Sequence, residues 1–60
     1  MAQQRRYKIL IADDDMFQRL ALTEITELCE YDSVDVENGK LALEALRNPD
    51  NNFDLLLLDL

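Results

Sequence analysis

Histidine and tryptophan are absent from this 60-residue chain, and cysteine, glycine and proline occur once each, as Cys29, Gly39 and Pro49. A lone cysteine cannot close a disulfide within the chain, and without histidine the common Cys/His zinc sites cannot be assembled. A reducing, cytoplasmic location fits this usage. No apolar run reaches 18 residues and residues 1–8 are polar, so neither a membrane span nor a secretory signal is expected. Positive charge is also scarce. Six Lys and Arg face thirteen Asp and Glu, for a net charge of −7 and a pI near 4.2. Such a chain repels phosphate backbones and anionic lipid, which argues against direct nucleic-acid or membrane binding. The basic residues Arg5, Arg6 and Lys8 crowd at the amino end, where a flexible, solvated tail over residues 1–6 is the expected reading rather than a contact patch.

Length sets a second bound. A stable α/β domain usually needs about 100 residues, and a chain this short buries only ~60% of its unfolded surface. The chain is therefore expected to be half of a domain, cut just after its last apolar run. No repeat, linker or low-complexity segment divides it.

What is present reads as five elements. Tyr7 to Ala12 is an all-apolar strand apart from Lys8. A helix follows from Met16 to about Glu30, with Asp15 as N-cap. Its residues Phe17, Ala21, Ile25 and Leu28 recur at helical spacing, with Leu22 and Cys29 beside them, and are expected to face the core. Gln18, in the first turn, reads as a boundary residue. Ser33 to Glu37 alternates, Val34 and Val36 one way and Asp35 and Glu37 the other, as a half-exposed strand does. Asn38-Gly39 signals a turn, and Leu41, Ala42, Ala45 and Leu46 give a short second helix that ends at Asn48-Pro49-Asp50. Phe53 to Leu58 is the third strand. The order β-α-β-α-β implies parallel strands with right-handed crossovers. The alternating strand belongs at an edge and the two apolar strands inside, so the spatial order 2-1-3 follows. It leaves the third strand with one open side, an aggregation hazard unless a further strand or another chain covers it.

That order brings the carboxyl ends of the first and third strands together, the edge where open α/β sheets bind ligands. Asp13, Asp14 and Asp15 close the first strand and Asp59 closes the third. Each close pair of such carboxylates costs about 4 kcal/mol at an effective dielectric near 20, and a proton or a metal must relieve it. Oxygen donors without His or Cys favour a hard cation, Mg²⁺ or Mn²⁺. Such an ion keeps open positions for phosphate oxygens, which points to phosphoryl chemistry, and a carboxylate beside it can be the nucleophile. Taken alone, an Asp triplet is usually a solvated loop or helix cap and an Asp after four leucines a strand terminator. Their placement at matching strand ends favours the functional reading. Cys29, Tyr7 and Phe17 read as core or core-edge residues, Tyr31 as packing over the helix-to-strand turn, and Glu24, Glu27 and Glu30 as a solvated acidic face.

The stretch Lys8-Ile9-Leu10-Ile11-Ala12-Asp13-Asp14-Asp15 resembles the first strand and acidic pocket of the receiver domain of two-component response regulators. Glu37-Asn38-Gly39-Lys40-Leu41-Ala42-Leu43-Glu44-Ala45-Leu46 is similar to that family's second-strand exit and second helix, and Phe53-Asp54-Leu55-Leu56-Leu57-Leu58-Asp59-Leu60 to its third strand. The resemblance spans Tyr7 onward and covers the amino-terminal half of a receiver. It implies a flavodoxin-like, doubly wound parallel sheet, here partial, over residues 7–60. It also implies that Asp59 accepts a phosphoryl group from a phosphohistidine, that Asp14 binds Mg²⁺ (or Mn²⁺) directly and Asp13 through water, and that Asp15 serves as a cap. The metal set is then Asp13, Asp14 and Asp59. The chain has no histidine to act as its own donor, so a histidine kinase or histidine phosphotransfer protein is the implied partner, and the protein is a phosphorylatable signalling switch rather than an enzyme. The family's remaining site residues, a Ser or Thr on a fourth strand and a Lys on a fifth, are expected beyond residue 60, and the isolated chain is expected to be incompetent without them. Two alternatives stay open. Asp59-Leu60 could begin the Asp-x-Asp motif of a haloacid-dehalogenase-type phosphatase, with Asp59 as nucleophile. The chain could also be a non-catalytic interaction piece that packs its open strand edge on another chain.

Overall fold

The computed structural model describes residues 6–59. Arg5 and Leu60, and with them most of the expected tail, lie outside the described residues. The elements run β1 (Lys8–Asp13), α1 (Met16–Leu28), β2 (Asp32–Val36), α2 (Gly39–Arg47) and β3 (Leu55–Asp59). The three strands form one parallel sheet in the order β2-β1-β3. This is the expected partial flavodoxin-like arrangement, with element ends displaced by a residue or two.

The centre of the sheet follows from composition. Ile9, Leu10, Ile11 and Ala12 are all buried, and each of the larger three contributes roughly 1.5–3 kcal/mol by leaving water. Register divides the two faces. Leu10 pairs with Val34 and Leu56, and Ala12 with Val36 and Leu58; this face receives α2, where Leu10 and Ala12 pack with Ala42, and Val36, Ala45 and Phe53 adjoin them. Ile9, Ile11 and Asp13 lie on the other face, in register with Leu55, Leu57 and Asp59 on β3. Both helices lie over β1 and β2. Leu55, Leu56 and Leu58 of β3 are consequently exposed, as is the strand's outer edge.

The helix caps are supplied by side chains. Asp15 caps α1, its Oδ1 accepting from the backbone N–H of Phe17 (2.9 Å) and Gln18 (3.4 Å). Asn38 caps α2, accepting from the N–H of Leu41 at 2.8 Å, so the helix starts at Gly39 and the expected Asn-Gly turn is its capped first turn. At the other end of α2, Asn48 turns the chain by accepting from Asp50 N–H (2.9 Å), and the Asn51 amide donates to the Ala45 carbonyl (2.9 Å).

Helix α1 corrects the sequence reading. It ends at Leu28, and Glu30 adopts φ 63°. The Glu30 N–H bonds the Glu27 carbonyl and the Tyr31 N–H bonds the Thr26 carbonyl, both at 2.9 Å. This is a Schellman ending with glutamate where glycine is usual. The expected core stripe is also turned away: Phe17 is 77% exposed, Ile25 54% and Leu28 84%, Ala21 is exposed, and Cys29, expected in the core, is exposed too. The inward face is Arg19, Leu22, Thr23 and Thr26. Its hydroxyls need no outside partner, because Thr23 donates to the Arg19 carbonyl and Thr26 to the Thr23 carbonyl, each at 2.8 Å.

The amino end is anchored. Arg6, placed in the tail by the sequence reading, donates to the Tyr31 carbonyl (3.1 Å) and pairs with Asp32 (3.3 Å). Tyr7 is half exposed and meets Tyr31 edge to face with ring centroids 5.7 Å apart. Lys8 reaches Asn51 at 3.2 Å and lies over the Phe53 ring. No helix among the described residues is long and apolar enough to cross a membrane.

Candidate functional site

The sheet register sets the site. Asp13 and Asp59 are Cα partners at the carboxyl ends of β1 and β3, and paired residues of neighbouring parallel strands project from the same face. Asp13 is 1% exposed, whereas Asp14, Asp15 and Asp59 are exposed. A buried carboxylate survives only with hydrogen-bond partners, and Asp13 has them. Its Oδ1 accepts from the backbone N–H of Asp15 at 2.9 Å, which fixes the corner between β1 and α1. The amino terminus of α1 adjoins the pair, and its partial positive charge favours anions there.

Gln18 completes the arrangement. One end of its side-chain amide lies 2.7 Å from Asp13 Oδ2 and 3.0 Å from Asp59 Oδ2. Only with the nitrogen at that end are all partners satisfied, and Gln18 then donates to both carboxylates. The expected boundary residue is thus the link between the two strand ends. Its position in the first helical turn after the acidic triplet was the available signal, and amphipathic spacing alone could not weigh it.

Arg19 supports the site from behind. Its Nη1 donates to the Asp13 carbonyl at 2.8 Å and its Nε to Asp35 at 3.2 Å. Asp35 pairs with Ile11 in register and so lies on the α1 face. The alternation of β2, read as a solvated polar side, in fact supplies this partner.

Of the residues expected to bind metal, the fold brings Asp13 and Asp59 together, with Asp14 next along the chain at the exposed corner. Among the described residues, no three Asp, Glu, Cys or His side chains group closely enough to hold an ion by themselves. The pair offers the oxygen donors that a hard divalent cation takes with water filling the other positions, and the point both Oδ2 atoms reach is taken by the Gln18 amide. No buried side-chain nitrogen or oxygen among the described residues is left without a partner.

The chain is 35% identical over 54 residues to the Dictyostelium discoideum protein named 3',5'-cyclic-nucleotide phosphodiesterase regA. The matched stretch is 90% of this chain and 7% of that relative. No family model matches the chain, and no solved structure matches it significantly.

Proposed function

We propose that this chain is the amino-terminal half of a phosphorelay receiver and that Asp59 is its phospho-acceptor. The observation that carries the reading is the in-register pairing of exposed Asp59 with buried Asp13, both aimed at one point at the carboxyl edge of a parallel sheet. In this reading an Asp59 carboxylate oxygen attacks the phosphorus of a phosphohistidine, the P–N bond breaks, and the imidazole leaves with the electron pair and takes up a proton. Asp13, Asp14 and Asp59 would hold Mg²⁺ or Mn²⁺, which when bound supplies charge neutralisation between the incoming phosphoryl group and the acidic corner. The donor would be a histidine kinase or histidine phosphotransfer protein, and the site would act in the cytoplasm. The cyclic-nucleotide hydrolysis named for the relative is not carried over, because the match covers 7% of it; we propose for this stretch a regulatory rather than a hydrolytic role. The haloacid-dehalogenase reading fits less well, since Asp13 already occupies the neighbouring strand end beside Asp59.

The test is labelling of the full-length protein with radiolabelled acetyl phosphate in Mg²⁺. Asp59→Asn should abolish incorporation, and retained labelling would remove Asp59 from the role.

A second reading has its own support. Leu55 and Leu58, 51% and 53% exposed, sit on a strand with an open outer edge. Following chain or another protein would cover that strand, making assembly part of the function.

A further inference from the structure

We infer that Gln18 is a built-in occupant of the cation position, which a divalent ion or its bound water must displace before Asp13 and Asp59 can hold the ion. The inference rests on the reading of those carboxylates as cation ligands.

Three observations carry it. First, in the orientation that satisfies its partners, the Gln18 amide places its nitrogen 2.7 Å from Asp13 Oδ2 and 3.0 Å from Asp59 Oδ2, and its two hydrogens serve one carboxylate each. Second, Mg²⁺ binds oxygen at roughly 2.0–2.1 Å and keeps bound waters, so an ion or its water placed between these two oxygens would lie within the envelope of that nitrogen. An amide nitrogen is a donor only and cannot join the ligand set. In this orientation ion and amide exclude each other, and the amide must leave or turn before the ion can enter. Third, the other oxygen of Asp13 is already engaged by the Asp15 N–H, and Asp13 is buried, so Oδ2 is the free face of that carboxylate.

Gln18 itself is exposed and sits in the first turn of α1, so it can swing into solvent without unpacking the core. In the closed position it does two things a cation would do: it supplies positive partial charge between two carboxylates and ties β3 to the start of α1. The apparent cation affinity is then the intrinsic affinity reduced by the fraction of molecules whose amide has swung out. The rotamer entropy a docked glutamine gives up and the exposure of the site offset most of its two hydrogen bonds to charged acceptors, which leaves that fraction at about one in three to one in ten.

The experiment measures Mn²⁺ binding by electron paramagnetic resonance, with Mg²⁺ as competitor, in the full-length protein and in Gln18→Met, Gln18→Ala and Asp59→Asn. Methionine keeps the length and helix propensity of glutamine but has no donor. Circular dichroism checks that each variant is folded. Both Gln18 variants should bind about 3- to 10-fold tighter than the native protein, and Asp59→Asn should lose binding. In ¹⁵N-resolved spectra of the native protein, the Gln18 side-chain amide resonances should be shifted and slow to exchange without the ion, and should return to solvent-like values on Mg²⁺ addition. Unchanged or weaker binding in the Gln18 variants, with Asp59→Asn still defective, overturns the inference and leaves the site reading standing. Absence of cation binding throughout, or binding indifferent to Asp59→Asn, overturns the site reading and this inference with it.

Discussion

Removing the Arg19 side chain tests whether the acidic corner is held from behind. In Arg19→Ala two interactions disappear. The hydrogen bond from Nη1 to the Asp13 carbonyl, 2.8 Å and partly buried, has a charged donor and is worth about 1.5–3 kcal/mol. The ion pair with Asp35 has one partner 16% and the other 46% exposed, so solvent screening leaves it about 0.5 kcal/mol. The expected loss is therefore about 2–3.5 kcal/mol in urea unfolding followed by circular dichroism. Asp35→Ala removes the ion pair alone and should cost about 0.5–1 kcal/mol. Arg19→Lys keeps the charge but not the planar fork that reaches two acceptors, and should fall between them. The comparison isolates the bond to the strand end, because the single changes share the ion pair and nothing else. Equal losses in Arg19→Ala and Asp35→Ala, within ~0.5 kcal/mol, would show that the Asp13 carbonyl contact contributes nothing and that Arg19 does not anchor the site.

Three further outcomes follow from local geometry. Glu30 holds φ 63°, a region that costs a non-glycine residue about 1–2 kcal/mol; after the larger unfolded-state entropy of glycine is deducted, Glu30→Gly should gain about 0.5–1 kcal/mol and raise Tm by several degrees in a thermal melt. Asp15→Ala deletes the acceptor for two N–H groups at the start of α1 and should cost about 1 kcal/mol, with Asp15→Ser recovering most of it by the same unfolding assay. Leu58→Lys places a charge on a strand whose outer edge is open; it should lower self-association in sedimentation velocity at rising concentration, and an unchanged profile would mean that this edge is not the sticky surface.

The sheet was legible because burial on two faces has a simple signature. Ile9-Leu10-Ile11-Ala12 offers no polar side to water and must be central, whereas Ser33 to Glu37 alternates and can only be an edge. That contrast alone set the order β2-β1-β3 and brought Asp13 beside Asp59. The orientation of α1 was not legible. Hydrophobic periodicity assumes that apolar residues turn inward, but the face that turns inward carries Arg19, Thr23 and Thr26. Those residues satisfy their own polar groups, through helix carbonyls and through Asp35 and the Asp13 carbonyl, and a count of apolar spacing does not register such satisfaction. Both helices lie over β1 and β2, and Phe17, Ile25 and Leu28 stay exposed. The Glu30 ending was hidden for a related reason: the residue usually read as a helix stop is glycine, and here a glutamate takes its place.

The two paired carboxylates differ in burial, and under the proposed function this difference gives them different work. Asp13 is sealed, with one oxygen fixed by the Asp15 N–H and its backbone carbonyl held by Arg19. A group so constrained can orient a ligand but cannot approach an incoming molecule. Asp59 is exposed, and the one contact described for its carboxylate is with a side chain that is itself free to move. The proposed nucleophile must reach a reacting atom at about 3 Å, and of the paired Asp13 and Asp59 the exposed one is Asp59. Removing one charge, by Asp13→Asn with Asp59 intact, should therefore weaken cation binding while leaving the acceptor atom in place, whereas Asp59→Asn removes the acceptor itself. Restoration of labelling by raised Mg²⁺ in the first variant and not in the second would separate holding from reacting; restoration in both would mean that the division of labour between the two strands is false.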